Sequence, residues 1–353
     1  MIADIFKIFL PAVLSFIVGI GITPILTNYL YKYKCWKKKS GKTAETPIFN
    51  SLHKEREVNT PRMGGIAVWG SAALTILGIW LISQVLPTDL AVKLDFLSRS
   101  QTWIPLCTLL LGAFIGLIDD VMEIRGNGDN KAGGLSLKKR LFLVGIISLS
   151  VALWFYFKLE VSSLGMPQVI GEIYLGPLFV ALFVILTLFI YAGGVIDGLD
   201  GLAGGVFATM FGAYGVIAYY QNQIDLAAFC AALAGALLAF LWFNIPPARY
   251  YMSETGTMGL TITLTVVAFM TDKLGDGYGV LILPVIALPL VITVLSNLIQ
   301  VLSKKIRGKK VFLVAPIHHH FEAIGWPAYK VTMRYWIFSV VCALLGIILA
   351  LIR

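Results

Sequence analysis

Five carboxylates and a run of three histidines are the residues of this chain best suited to chemistry. Asp119 and Asp120 close the stretch GLIDD, Asp197 and Asp200 stand three apart in YAGGVIDGLDGLAGG, Glu254 lies in YMSETGTMG, and His318, His319 and His320 form the run in VFLVAPIHHHFEAIGW. Carboxylates with few neutral ligands make a hard, oxygen-rich donor set that favours Mg2+ over zinc. With basic residues nearby, such a set suits phosphoryl transfer, where catalysis is mostly positioning and charge neutralisation. The histidines are hard to explain as packing, because imidazoles are costly to bury without partners, and the spacing predicts a solvated loop. The plainer alternative is a surface loop beside lipid headgroups.

Each acidic pair has its own geometry. Neighbouring residues on a helix point about 100° apart, so Asp119 and Asp120 cannot serve one atom equally: one is expected to face a cavity and the other to support it. The alternative is that both solvate a helix end, although a C-terminal end is the wrong pole for acids. A spacing of three puts Asp197 and Asp200 on one helical face, with Cβ atoms about 5–6 Å apart. That suits phosphate-bound magnesium or a ribose and base edge; the alternative is an N-cap and acidic first turn of the following helix.

The elements that must position these groups are membrane spans. The 353 residues are 58% hydrophobic and 13% charged, with mean hydropathy +0.84, which excludes an ordinary globular surface. The chain reads as one all-α polytopic membrane domain, 1–353. Ten apolar stretches are about long enough to cross a bilayer: Ile5–Leu30, Gly64–Val85, Trp103–Ile118, Leu141–Phe157, Leu175–Tyr191, Leu202–Tyr219, Leu226–Phe243, Met258–Phe269, Tyr278–Leu302 and Val331–Ile352. The first has no cleavage-site pattern and reads as a retained helix. Pro284 and Pro289 predict a kink in the ninth. The net charge of +9 comes from basic residues beside apolar spans, which points to anionic headgroups and substrates and away from nucleic acid. Of the 28 Lys and Arg residues, 22 fall in the alternate segments 31–63, 119–140, 244–257 and 303–334. The positive-inside rule makes that side cytoplasmic and both termini extracytoplasmic. Every acidic or histidine motif falls on the same side, so one cytoplasmic active-site cleft is expected. The four cysteines suggest neither disulfides nor a zinc site.

Six segments in order, TPRMGG, IDD, GLS, DGLDGLA, FNIPPA with MSETGT, and APIHHHFE, resemble the motifs of the phospho-N-acetylmuramoyl-pentapeptide transferases. The resemblance covers most of the chain. It implies Mg2+-dependent transfer of phospho-MurNAc-pentapeptide from its UDP carrier to undecaprenyl phosphate, releasing UMP, at the inner membrane of a bacterium. It further implies Asp119 as base or phosphate-orienting acid, Asp120 as its partner, Glu254 as magnesium ligand and His318 as a phosphate or transition-state contact. Asp197, Asp200, Asn244, His319 and Arg140 would hold substrate, and a homodimer in contact with membrane lipid is the expected assembly. Several positions depart from the family pattern. Arg140 stands where lysine is usual, MSETGT where MGDxGS is usual, Gly194 where asparagine is usual, and Glu57 where many members carry lysine. Arg62 is also seen in the related N-acetylglucosamine-1-phosphate transferases. Gly194 and Glu254 are expected to compensate for one another. An N-acetylglucosamine-1-phosphate transferase is one rival reading, and a non-enzymatic paralogue or transporter is the other.

Overall fold

The computed structural model describes residues 2–37, 58–127, 133–167 and 171–352. Glu57, the lysine run beyond Lys37 and most of the 126–133 loop lie outside them. The helices are α1 (Ile2–Lys32), α2 (Gly65–Val85), α3 (Asp89–Leu94), α4 (Trp103–Arg125), α5 (Leu137–Phe157), α6 (Leu178–Ala192), α7 (Leu202–Tyr220), α8 (Ile224–Asn244), α9 (Ser253–Met270), α10 (Gly279–Ile286), α11 (Leu288–Arg307), α12 (Ile317–Ala323) and α13 (Ala328–Leu351). Among the described residues, nine helices are long and apolar enough to cross a membrane, as an all-α multi-pass membrane protein requires. One short antiparallel hairpin, β1 (Ser163–Gly165) with β2 (Glu172–Tyr174), interrupts the pattern and has no counterpart in the expected spans.

The eighth expected span, Met258–Phe269, lies inside α9, which is not among those nine. This helix is diluted by threonine, and it is the centre of the bundle: every residue but Glu254 is buried. Buried hydroxyls are costly unless bonded, and Thr257, Thr261 and Thr265 each donate to the carbonyl four residues earlier. Helix α4 lies against α9 at main-chain distance. A Cβ on Gly116 would fall 2.1 Å from Glu254 O, and one on Gly112 would fall 2.8 Å from Gly259 Cα. Small residues spaced by four let membrane helices approach this way.

Two expected boundaries move. The third span is expected to end at Ile118, but α4 continues to Arg125 and stops at Gly126, whose left-handed φ of 71° closes the last turn. The ninth span breaks where its prolines predict. Helix α10 ends at Ile286, and α11 restarts at Leu288 and runs to Arg307, beyond the expected Leu302.

Candidate functional site

The site is built around the N-terminal turn of α9. A helix start leaves main-chain N–H groups without intrahelical partners, and here two are taken by acids from other segments. Ser253 N donates to Asp197 Oδ2 at 2.7 Å and Thr255 N to Asp120 Oδ2 at 2.9 Å. The positive end of the helix favours both carboxylates. Between them Glu254, the one α9 residue that is not buried, turns outward to Arg140.

Arg140 joins three elements. Its Nη1 lies 2.5 Å from Glu254 Oε1, its Nη2 lies 3.0 Å from Asp119 Oδ2, and its Nε donates to Leu135 O at 3.1 Å. Leu135 N returns a bond to Asp119 Oδ1 at 2.5 Å. A second guanidinium, Arg62 of TPRMGG, sits 3.6 Å from Asp120 and 3.0 Å from Glu123, and Lys37 reaches Glu123 at 3.2 Å. Burial opposes the Arg62 charge, but Glu123, Asp120 and Asp197 outweigh it and raise its pKa. Asp197 is pushed up to about 6 by burial, against the pull of the Ser253 amide.

DGLDG is neither helical face nor N-cap. A short 3-10 turn, Gly193–Ile196, precedes it, and α7 begins only at Leu202 with Gly201 (φ 76°) as its cap residue. The left-handed Gly201 turns the chain before α7, and the two acids serve different main-chain groups: Asp200 accepts from Ala248 N at 3.2 Å, away from Asp197's bond to Ser253. Asn244 is buried and spans this turn, accepting from Gly201 N and donating to Tyr250 O.

The histidine run is also not a solvated loop. It forms the short helix α12, and His318 and His319 are buried. A Cβ on Gly198 would meet Nε2 of His318 at 2.5 Å and Nε2 of His319 at 2.7 Å. A Cβ there would displace both rings, so the glycine lets the two imidazoles close over the turn between Asp197 and Asp200. Nδ1 of His319 is 2.8 Å from Glu322 Oε2, while His320 points elsewhere, accepting from Leu313 N. Trp326 lies between Phe321, stacked at 4.8 Å, and the Arg334 guanidinium at 4.2 Å, locking α12 onto α13. Thr332 and Trp336 of α13 then bond the carbonyls of Asp200 and Gly201.

All the expected site residues thus fall at one end of the bundle. Asp119, Asp120, Arg140, Glu254 and Asp197 form one polar network, and His318 and His319 adjoin it through Gly198. Gly194 lies against Thr257, one turn along α9 from Glu254: a Cβ on it would fall 3.2 Å from the Cβ of that threonine and 3.3 Å from its hydroxyl. Sequence reasoning missed Glu123, Thr255, Tyr191 and Glu322. Asp120 and Glu123 are spaced by three and share a helix face, a signal hidden by ending α4 too early. Tyr191, whose hydroxyl is 3.4 Å from Glu254 Oε2, carries no motif at all.

Among the described residues no three His, Cys, Asp or Glu side chains form a ready metal cage. Mg2+ is commonly held by only one or two carboxylates, with phosphate oxygens and water completing its shell. The outward-turned Glu254 and the half-buried Asp197, flanking Ser253, fit that mode.

The profile of "Glycosyl transferase family 4" matches residues 102–272, which include α4 through α9. The phospho-N-acetylmuramoyl-pentapeptide-transferase of Geobacillus sp. is 32% identical over 349 residues, covering 96% of each chain. The protein of that name from Clostridium perfringens is 34% identical over 341 residues, covering 95% of this chain and 94% of its own. That from Levilactobacillus brevis is 33% identical, covering 97% of this chain and 98% of its own.

Proposed function

Because the chain belongs to the phospho-N-acetylmuramoyl-pentapeptide-transferase family, we propose that it transfers phospho-MurNAc-pentapeptide from UDP-MurNAc-pentapeptide to undecaprenyl phosphate in the inner membrane. The observation that carries this reading is the joining of the IDD, GLS, DGLDG and MSET segments by direct polar contacts around one helix N-terminus. A phosphate oxygen of the lipid attacks the sugar-bearing phosphorus of the nucleotide. The bond from that phosphorus to the bridging oxygen breaks, and UMP leaves with the electron pair.

A phosphate monoester has its second pKa near 6, so the lipid phosphate is largely ionised at neutral pH and needs no strong base. Asp119 therefore orients the attacking phosphate more than it deprotonates it, which favours single in-line attack over an aspartyl intermediate. Arg140 and Arg62 offset the negative charge that two phosphorylated substrates bring together. His318 and His319 contact phosphate or nucleotide from above Gly198, with Asp200 completing that side. Mg2+ held by Glu254, when bound, supplies further neutralisation of the diphosphate. The excess of Lys and Arg in the segments at this end supports a cytoplasmic orientation, where the nucleotide is available.

The test is UMP release by the purified protein from UDP-MurNAc-pentapeptide and undecaprenyl phosphate, with and without Mg2+. Release with Mg2+ and its loss on chelation are expected. UMP release from UDP-N-acetylglucosamine instead would assign the chain to the related N-acetylglucosamine-1-phosphate transferases, and no turnover of either would leave a non-enzymatic protein.

A further inference from the structure

The structure assigns a positioning role to Gln300: with Ser296 and Ser303 it forms a polar stripe on α11 that grips the main chain leading to His318 and His319, and so fixes where those two imidazoles stand. The three residues are spaced by four and three, which puts them on one face of the helix, and all three are buried. The opposite face is apolar and exposed, with Leu298, Val301 and Leu302 on it. That distribution inverts a water-facing helix: lipid takes the apolar side, and the polar side must find its partners within the protein. The role given to the histidines rests on the proposed function; the grip itself does not depend on it.

The partners of the stripe are main-chain groups of one segment. Residues 309–316 form neither helix nor strand, so their N–H and C=O groups need bonds from elsewhere. Ser303 Oγ donates to Lys309 O at 2.9 Å. Gln300 Oε1 accepts from Val311 N at 3.0 Å and from Phe312 N at 2.9 Å, while its Nε2 donates to Phe312 O at 2.8 Å. One amide side chain thus bonds both main-chain groups of Phe312, as a neighbouring strand would, which fixes direction as well as distance. Two turns back along α11 from Ser303, Ser296 Oγ accepts from Ile317 N at 3.1 Å. That N–H lies in the first turn of α12, where a helix offers no acceptor of its own, so Ser296 caps α12 from a different element. The segment therefore runs antiparallel to α11, from Ser303 back to Ser296, and delivers Ile317 one residue before His318. Leu313 N, midway along it, bonds Nδ1 of His320 and ties the segment to α12 a second time. Three of the five bonds from the stripe are made by Gln300.

The experiment compares wild type with Gln300→Met, which keeps the length of the side chain and removes its amide, and with Ser303→Ala, all as full-length protein in detergent. The first readout is the rate at which diethyl pyrocarbonate modifies His318 and His319, followed by peptide mass. Both rings are buried in the native protein, and the readout needs no activity. Gln300→Met should speed modification of both at least about tenfold, because losing three hydrogen bonds of ordinary net strength shifts a local opening by that much. Ser303→Ala, with one bond lost, should act in the same direction to a smaller extent, and it carries the test if Gln300→Met does not accumulate. The second readout is kcat for UMP release, which rests on the proposed activity. Gln300→Met should lower it about 10- to 100-fold, as expected when a working group is displaced by up to about 1 Å. In a His318→Ala, His319→Ala background the same substitution should cost no more than about twofold, because the residue acts only through the two rings. A residue that merely supported the fold would cost as much in either background. Unchanged histidine reactivity overturns the assignment, as does a loss of turnover that keeps its full size without the histidines; where that background shows no turnover, the reactivity alone decides. Faster modification in a protein that never releases UMP would sustain the grip and refute the activity.

Discussion

Thr255 gives both its main-chain N–H and its hydroxyl to one carboxylate oxygen of Asp120, at 2.9 and 2.5 Å. Asp120 is fully buried, and its other oxygen faces Arg62. This acid caps α9 and balances a buried guanidinium, whereas its neighbour Asp119 faces Arg140. The two should separate on mutation. Asp120→Ala removes one of the two carboxylates facing Arg62 and leaves the buried N–H and hydroxyl of Thr255 unpartnered, at a cost of about 1–3 kcal/mol for each donor, so folded protein should fall. Asp119→Asn keeps an acceptor for Leu135 N, so folded protein should persist while UMP release falls by at least about 100-fold. Activity and abundance falling in parallel for Asp119→Asn would assign it to the fold.

Glu322 is expected to act through His319. A carboxylate on Nδ1 fixes the ring's orientation and its tautomer, which leaves Nε2 to be presented over Gly198. Glu322→Gln keeps the size and removes the charge. It should lower kcat by about 10- to 100-fold, the range seen when the partner of a working imidazole is changed, with little change in melting temperature. If kcat is unmoved in both Glu322→Gln and Glu322→Ala, the pair serves only to shape α12.

The opposite end of the bundle predicts a pH dependence of stability. Asp272 is buried below the β1–β2 hairpin, accepts from Gly165 N at 2.7 Å and Val280 N at 3.0 Å, and is pushed up to about 6 by burial against those bonds. A raised carboxyl binds protons more tightly in the folded state than in the unfolded one. Its contribution is therefore present below about pH 4 and is lost as pH rises through about 6. Melting curves of wild type and Asp272→Asn between about pH 4 and 7.5 should differ in slope, with the variant flatter. Parallel curves would show that Asp272 does not titrate in this range.

The helices are legible in the sequence because lipid imposes one signal, about 20 apolar residues per span, and the prolines flanking Ala287 announce the break between α10 and α11. What is not legible comes from contacts between distant segments. The DGLDG spacing is compatible with a helix, but the left-handed Gly201 and bonds to separate partners, Ser253 and Ala248, keep it out of one. Isolated imidazoles resist burial, which puts His318 and His319 in solvent on sequence grounds, and only the fold shows the glycine they close over. Arg140 and Glu254 are visible as separate departures. Their contact joins residues 114 apart in sequence, and no local pattern encodes it.

Ser253 offers the last prediction. It opens α9 with φ of 57°, a left-handed conformation that costs a residue bearing a Cβ roughly 1–2 kcal/mol. Its buried hydroxyl has no hydrogen-bond partner among the described residues, so the side chain brings a desolvation cost as well. What the position needs is the main-chain N–H, which Asp197 holds at 2.7 Å and which glycine also possesses. Glycine would relieve both costs, at an unfolded-state entropy penalty of about 0.5–1 kcal/mol. Ser253→Gly should therefore gain on the order of 1 kcal/mol, read as a rise of about 1–3 °C in melting temperature, with UMP release retained. A lower melting temperature would mean that the hydroxyl contributes to the fold. An unchanged melting temperature with impaired turnover would move Ser253 from the frame of the site into contact with substrate.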